Sequence, residues 1–117
     1  MADRLHILIV EDEPLVLDVL QAMLESEYHV ECATTGAEAY ACLSKSHIDL
    51  MLVDWQLPDC RGDVLAEYAE NSSVPTILMS GDPAAIDELK DRHRPHLAKP
   101  FRTARVLEAV RSALNHP

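Results

Sequence analysis

Short apolar runs alternate with longer amphipathic ones along the whole chain. Leu5–Val10 and Leu50–Val53 carry apolar residues with almost no polar alternation, which predicts strands buried on both faces. Tyr28–Ala33 and Thr76–Met79 are shorter strand candidates, and His96–Ala98 is assigned because the alternation requires a fifth strand there. Between them the apolar spacing turns helical. Pro14 suits a first helical position, and Val16, Val19, Leu20 and Met23 recur at helical intervals up to about Ser26. Thr35 is placed to cap a second helix from Gly36 to about Ser46. A third runs from about Asp63 to Ala69 with Leu65 and Tyr68 facing inward. Asp82-Pro83 is a cap followed by a first-turn proline, opening a fourth helix to about Asp91. The last helix spans roughly Thr103–Leu114 and buries Val106, Leu107, Val110 and Leu114.

Regular alternation of buried strands with helices predicts a parallel sheet covered on both faces. Ligands in such folds sit beyond the carboxyl ends of the strands, where strand order reverses. The residues just after each strand therefore carry the chemistry. Glu11, Asp12 and Glu13 follow the first strand and Asp54 ends the third. Ser80-Gly81-Asp82 follows the fourth and Lys99-Pro100 the fifth. Taken singly, each has an ordinary explanation. Acids before Pro14 favour a helix N-terminus, Asp54, Asp59 and Gly62 are turn formers, and Lys99 is a solvated charge. Jointly they bring three carboxylates, a hydroxyl and an ammonium to one sheet edge.

With 117 residues and 48% apolar content, the chain makes one compact domain, residues 1–117, with a real core. No apolar stretch approaches the roughly 20 residues that span a bilayer, and no signal peptide is evident, so no membrane association is expected. Cys32, Cys42 and Cys60 are odd in number and lack C-x-x-C spacing. They read as free thiols of a reducing cytosol, which makes the expected location cytoplasmic. The formal net charge of −10 argues against direct nucleic-acid binding. That charge is unevenly spread. Residues 1–89 hold three basic side chains (Arg4, Lys45 and Arg61) against 18 acids, whereas residues 90–117 hold seven basic ones against only Asp91 and Glu108.

The segments Ile7-Leu-Ile-Val-Glu-Asp-Glu-Pro14, Asp49–Gly62, Pro75-Thr-Ile-Leu-Met-Ser-Gly81 and Ala98-Lys-Pro-Phe101 resemble a receiver domain of two-component response regulators. The resemblance covers essentially the whole chain. It implies a flavodoxin-like α/β fold, a doubly wound five-stranded parallel sheet in the order 2-1-3-4-5; that order is carried over from the family, not read from the pattern. It implies that Asp54 accepts a phosphoryl group from a sensor histidine kinase or a phosphotransfer protein. Asp12 would bind Mg²⁺ directly, Glu11 mostly through water, and the Gln56 carbonyl would supply a further metal ligand. Ser80 would hydrogen-bond the phosphoryl group, Lys99 would pair with it, and Lys99-Pro100 would be cis. General chemistry agrees: a carboxylate approaching a phosphoryl dianion is repelled until cations intervene, and Mg²⁺ takes hard oxygen ligands.

The family usually carries Tyr or Phe three residues before the strand-5 Lys, and here that position is His96. The loop Arg92-His-Arg-Pro95 also stands where small residues are common. Arg92, Arg94, Arg102, Arg105 and Arg111 are expected on a face built from residues 83–115, which would dock a downstream protein target or, through Asp87, Glu88 and Asp91, a second copy of the chain as a homodimer. The reading is a signalling switch, not an enzyme, that assists its own phosphorylation and dephosphorylation. The alternative is a Mg²⁺-dependent phosphohydrolase with an aspartyl-phosphate intermediate. That chemistry calls for an acid two residues beyond the nucleophile, and Gln56 is not one.

Overall fold

The computed structural model describes residues 4–115. Five strands alternate with five helices: β1 (His6–Val10), α1 (Pro14–Leu24), β2 (His29–Ala33), α2 (Gly36–Lys45), β3 (Leu50–Asp54), α3 (Gly62–Asn71), β4 (Thr76–Ser80), α4 (Pro83–Asp91), β5 (His96–Ala98) and α5 (Thr103–Asn115). All strand pairs are parallel and the order is β2-β1-β3-β4-β5. The expected flavodoxin-like sheet is therefore the observed one.

The period-two projection of strand side chains divides the core in two. Ile7, Ile9, Leu50, Leu52, Ile77 and Met79 pack with Leu20 and Leu24 of α1 and Val106 and Val110 of α5. Leu8, Val10, Met51, Val53 and Leu78 pack on the opposite face with residues of α2, α3 and α4. β3 and β4 are buried along their entire lengths, as central strands covered on both faces must be. β2, at the edge, is only partly buried.

Helix starts follow the local chemistry. The Thr35 hydroxyl accepts from the Glu38 amide at 3.1 Å, and Asp82 accepts from the Ala84 amide at 3.1 Å. α2 has a second cap from far along the chain: the Asp59 carboxylate accepts from the Gly36 and Ala37 amides at 2.7 and 3.0 Å. These bonds hold the Asp59 carboxyl below its ordinary range. α4 closes with Arg94 N–H donating to Leu89 O and His93 N–H to Lys90 O, His93 adopting a left-handed φ of 55°.

Four expectations need correction. Tyr68 does not face inward but is 43% exposed, because α3 buries Leu65, Ala66 and Ala69 and leaves Tyr68 at the rim, edge-on to Tyr40 of α2. Val19 is likewise exposed, since α1 turns Leu20 and Leu24 to the sheet. Leu5 precedes β1 and is exposed. The arginines of the basic segment are also divided rather than pooled. Arg92 pairs with Glu88 and reaches Asp63, Arg94 pairs with Glu70 of α3, Arg105 with Glu108, and Arg111 with Glu27 beyond α1. Only Arg102 among these five lacks an ion pair within the described residues.

Candidate functional site

β1, β3, β4 and β5 all run the same way, so their carboxyl ends deliver side chains to one edge. Asp54 is the last residue of β3 and only 8% exposed. Lys99 follows β5, and its Nζ lies 2.9 Å from Asp54 Oδ2. The same Nζ is 2.6 Å from Glu11 Oε1 and 3.8 Å from Glu13 Oε1. Ser80 ends β4, is buried, and accepts the Asp82 N–H on its hydroxyl at 3.0 Å. Asp12 is exposed beside them, and one carboxylate oxygen each from Glu11, Asp12 and Asp54 lies within 4.8 Å of the others. Gln56 is exposed and its N–H points to Asp54 Oδ1 at 3.3 Å. All six expected residues, four of them from the ends of different strands, thus meet at one edge of the sheet.

The backbone around Asp54 is fixed from both sides. Trp55 N–H donates to Met79 O at 2.8 Å and Gly62 N–H donates to Trp55 O at 2.7 Å. Gly62 is obligatory for that closure: a Cβ there would stand 2.1 Å from the Asp54 carbonyl oxygen. The Arg61 guanidinium lies over the Trp55 ring, 5.0 Å from its centroid, and folds the loop back onto the strand end. Lys99 N–H donates to Ser80 O at 2.8 Å, and the following Lys99-Pro100 bond is cis, as the resemblance implied.

The electrostatics are those of a crowded acidic pocket. Glu11 is fully buried, and burial is the main reason its carboxyl is pushed up to about 7; Lys99 pulls it down and Asp54 pushes it further up. Burial tends to lower Lys99, but the contacts with Glu11 and Asp54 outweigh it and hold the ammonium firmly protonated. Glu11 Oε1 is buried and ion-paired with Lys99, with no hydrogen-bond partner of good geometry among the described residues. A buried carboxylate grouped with two further carboxylates around a single ammonium is a fitting donor for a hard divalent cation. All side-chain donors of the cluster are oxygens, which suits Mg²⁺ and not the softer ions.

His96 stands apart from this edge. It opens β5, its Nδ1 lies 2.8 Å from the Arg94 carbonyl, and it lines a cleft of roughly 850 Å³ with Arg94, Arg105 and Glu108. Sequence reasoning read Asp59 only as a turn former and missed its capping of α2, which braces the loop after β3. It lies 23 residues from Gly36, so only the three-dimensional structure pairs them.

The family model described as "Response regulator receiver domain" matches residues 7–111. Among proteins, the aerobic respiration control protein ArcA of Escherichia coli is 34% identical over 115 residues, covering 94% of this chain and 48% of that protein. The regulatory protein VanR of Enterococcus faecium is 30% identical, with 97% and 51% covered. The chain thus spans about half the length of these relatives. A CheY-like response regulator receiver domain protein from Methanospirillum hungatei superposes with a TM-score of 0.85 at 28% identity, over 97% of this chain and 95% of that one. The non-phosphorylated HemR receiver domain from Leptospira biflexa gives 0.83 at 27% identity, with 97% of each chain covered.

Proposed function

The chain belongs to the response regulator receiver domain family, and on that premise we propose that Asp54 takes a phosphoryl group from a phosphohistidine of a sensor kinase or phosphotransfer protein. The observation that carries this reading is the Asp54 carboxylate held 2.9 Å from Lys99, with Glu11, Asp12 and Ser80 around it. An Asp54 oxygen attacks phosphorus, the P–N bond breaks, and its electron pair leaves with the imidazole. The product is an acyl phosphate on Asp54. Its stability there requires counter-charge, which Lys99 supplies from a position it already occupies. The Ser80 hydroxyl accepts the Asp82 N–H through oxygen and so has its own proton free to donate to a phosphoryl oxygen.

Receiver domains generally bind Mg²⁺ at an acidic pocket, and the cluster here fits one. Glu11, Asp12, Asp54 and the Gln56 carbonyl are its proposed ligands. When bound, Mg²⁺ neutralises the charge repulsion between the carboxylate and the incoming phosphoryl group. Glu11 contributes only as the carboxylate, so the proton it retains near neutrality must leave first.

Phosphorylation draws Lys99 and Ser80 toward new oxygens, and both are tied to the β4–β5 edge through the Ser80 carbonyl. We assign the output to the α4–β5–α5 face, residues 83–115, which would dock a downstream protein or a second copy of the chain. The same residues assist hydrolysis of the acyl phosphate. A phosphohydrolase acting on other substrates is not favoured, because Gln56 offers no acid for a leaving group.

Incubation with acetyl phosphate and Mg²⁺, followed by intact-mass measurement, tests the reading. One phosphoryl group per chain is expected, abolished by Asp54→Asn and by chelation. An unmodified wild-type chain, or an Asp54→Asn chain still modified, contradicts it.

A further inference from the structure

At the opposite end of the sheet a second group of metal-ligating side chains is assembled. β1 and β2 begin in register, His6 opposite His29, and Glu31 lies two residues further along β2. The three side chains therefore project from the same face. The two imidazole rings are 4.5 Å apart between centroids and inclined at 41°. One ligand atom from each of His6, His29 and Glu31 lies within 4.8 Å of the others. His6 Nδ1 is shut off from solvent and has no hydrogen-bond partner among the described residues. A buried ring nitrogen left in that condition is costly unless something else satisfies or fixes the ring. The His6 backbone is already held, its N–H donating to Asp49 Oδ2 at 2.8 Å, while Asp49 Oδ1 lies 2.8 Å from His47 Nε2. Asp49 is thus engaged elsewhere, and no phosphoryl chemistry uses these histidines. His6 is five residues from Glu11, about 16 Å along an extended strand.

We propose that His6, His29 and Glu31 form a site for a divalent transition-metal ion of the zinc class, which clips the edge strand β2 to β1. Two imidazoles and one carboxylate, with water in the fourth position, are a donor set that zinc takes readily. Tetrahedral ligands at about 2.0–2.1 Å from the ion stand about 3.4 Å from one another, so the three groups close by little more than an ångström. His29 is exposed and its ring can make that movement without disturbing the core. Imidazole is a poor ligand for Mg²⁺, which keeps to oxygen donors, so the two ends of the sheet sort ions by softness. The thiols are the competing ligands. Cys32 projects from the other face of β2, and Cys42 of α2 packs against the face that carries the proposed site.

Calorimetric titration of the untagged chain with Zn²⁺, in buffer holding millimolar Mg²⁺ to fill the acidic pocket, tests the site. Expected is one zinc per chain, with His29→Gln and Glu31→Gln each weakening binding by more than about tenfold and Asp12→Asn leaving it unchanged. His29 is exposed, so His29→Gln keeps the fold, which circular dichroism verifies. Substitution by Co²⁺ should give visible d–d bands without sulfur charge-transfer absorption. Overturning results are no saturable zinc binding, full binding by His29→Gln, loss of binding in Asp12→Asn, or thiolate bands in the cobalt spectrum.

Discussion

Replacing Glu11 by Gln removes one titrating group from the centre of the acidic pocket and nothing else of comparable burial. In the folded chain the Glu11 carboxyl is raised from 4.5 to about 7, chiefly by burial. The folded state therefore holds this proton more tightly than the unfolded state does. Stability from this group is fully present below about 4.5 and is lost as pH rises through about 7. Each unit of difference corresponds to about 1.4 kcal/mol, which makes the full loss on the order of 3 kcal/mol. Urea unfolding in chelator at pH 5, 6, 7 and 8 measures it. Every other group that changes charge in this window is present in wild type and variant alike, so the difference between the two curves isolates Glu11. Wild type should lose about 2–3 kcal/mol relative to Glu11→Gln between pH 5 and 8. Adding Mg²⁺ at pH 8 should restore the wild type, by about 2.7 kcal/mol at a hundredfold excess over Kd. Parallel curves for the two proteins across that range would refute the reasoning.

Three further outcomes follow from the same geometry. Lys99→Met takes away the cation that pulls the Glu11 carboxyl down, so without metal the two acids must share a proton; at pH 8 the metal-free protein should lose about 3–5 kcal/mol, with most of it recovered in Mg²⁺, and a thermal melt in chelator and in Mg²⁺ checks both. Gly62→Ala places a methyl 2.1 Å from the Asp54 carbonyl oxygen, where no side-chain rotation relieves the overlap; it should cost about 1–3 kcal/mol in urea unfolding and slow modification by acetyl phosphate. Asp59→Ala removes the second cap of α2; because that carboxyl is held low when folded, its stabilisation is present above about pH 4 and lost below it, so the variant's melting temperature should be lower at pH 7 and converge on wild type in acid.

The fold was legible because its central strands announce themselves. Leu50–Val53 and Ile7–Val10 are apolar without interruption, and only strands covered on both faces tolerate that. Most of the site followed, since in a parallel sheet the residues after each strand share an edge. The errors lie where local pattern and three-dimensional context part. Tyr68 and Val19 fall at helical intervals from core residues, but periodicity does not reveal where a neighbouring element stops. The arginines of the basic segment suggested one patch until Glu70 and Glu27, from elsewhere in the chain, drew two of them away. The depth of Glu11 was also hidden, because an acid beside two other acids reads as surface until the Ala33 carbonyl fixes its backbone and the strands close over it. The pairing of His6 with His29 depends on the β1–β2 register, which the sequence pattern does not specify.

In the proposed function one carboxylate, Asp54, carries the phosphoryl group. Borohydride reduces an acyl phosphate to the corresponding alcohol and so writes its position permanently into the chain. After treatment with acetyl phosphate and Mg²⁺, borohydride reduction and peptide mass mapping should find homoserine at residue 54 alone. Reduction at Glu11, Asp12 or Asp82 instead, or at no residue in a chain that gained phosphoryl mass, would contradict it.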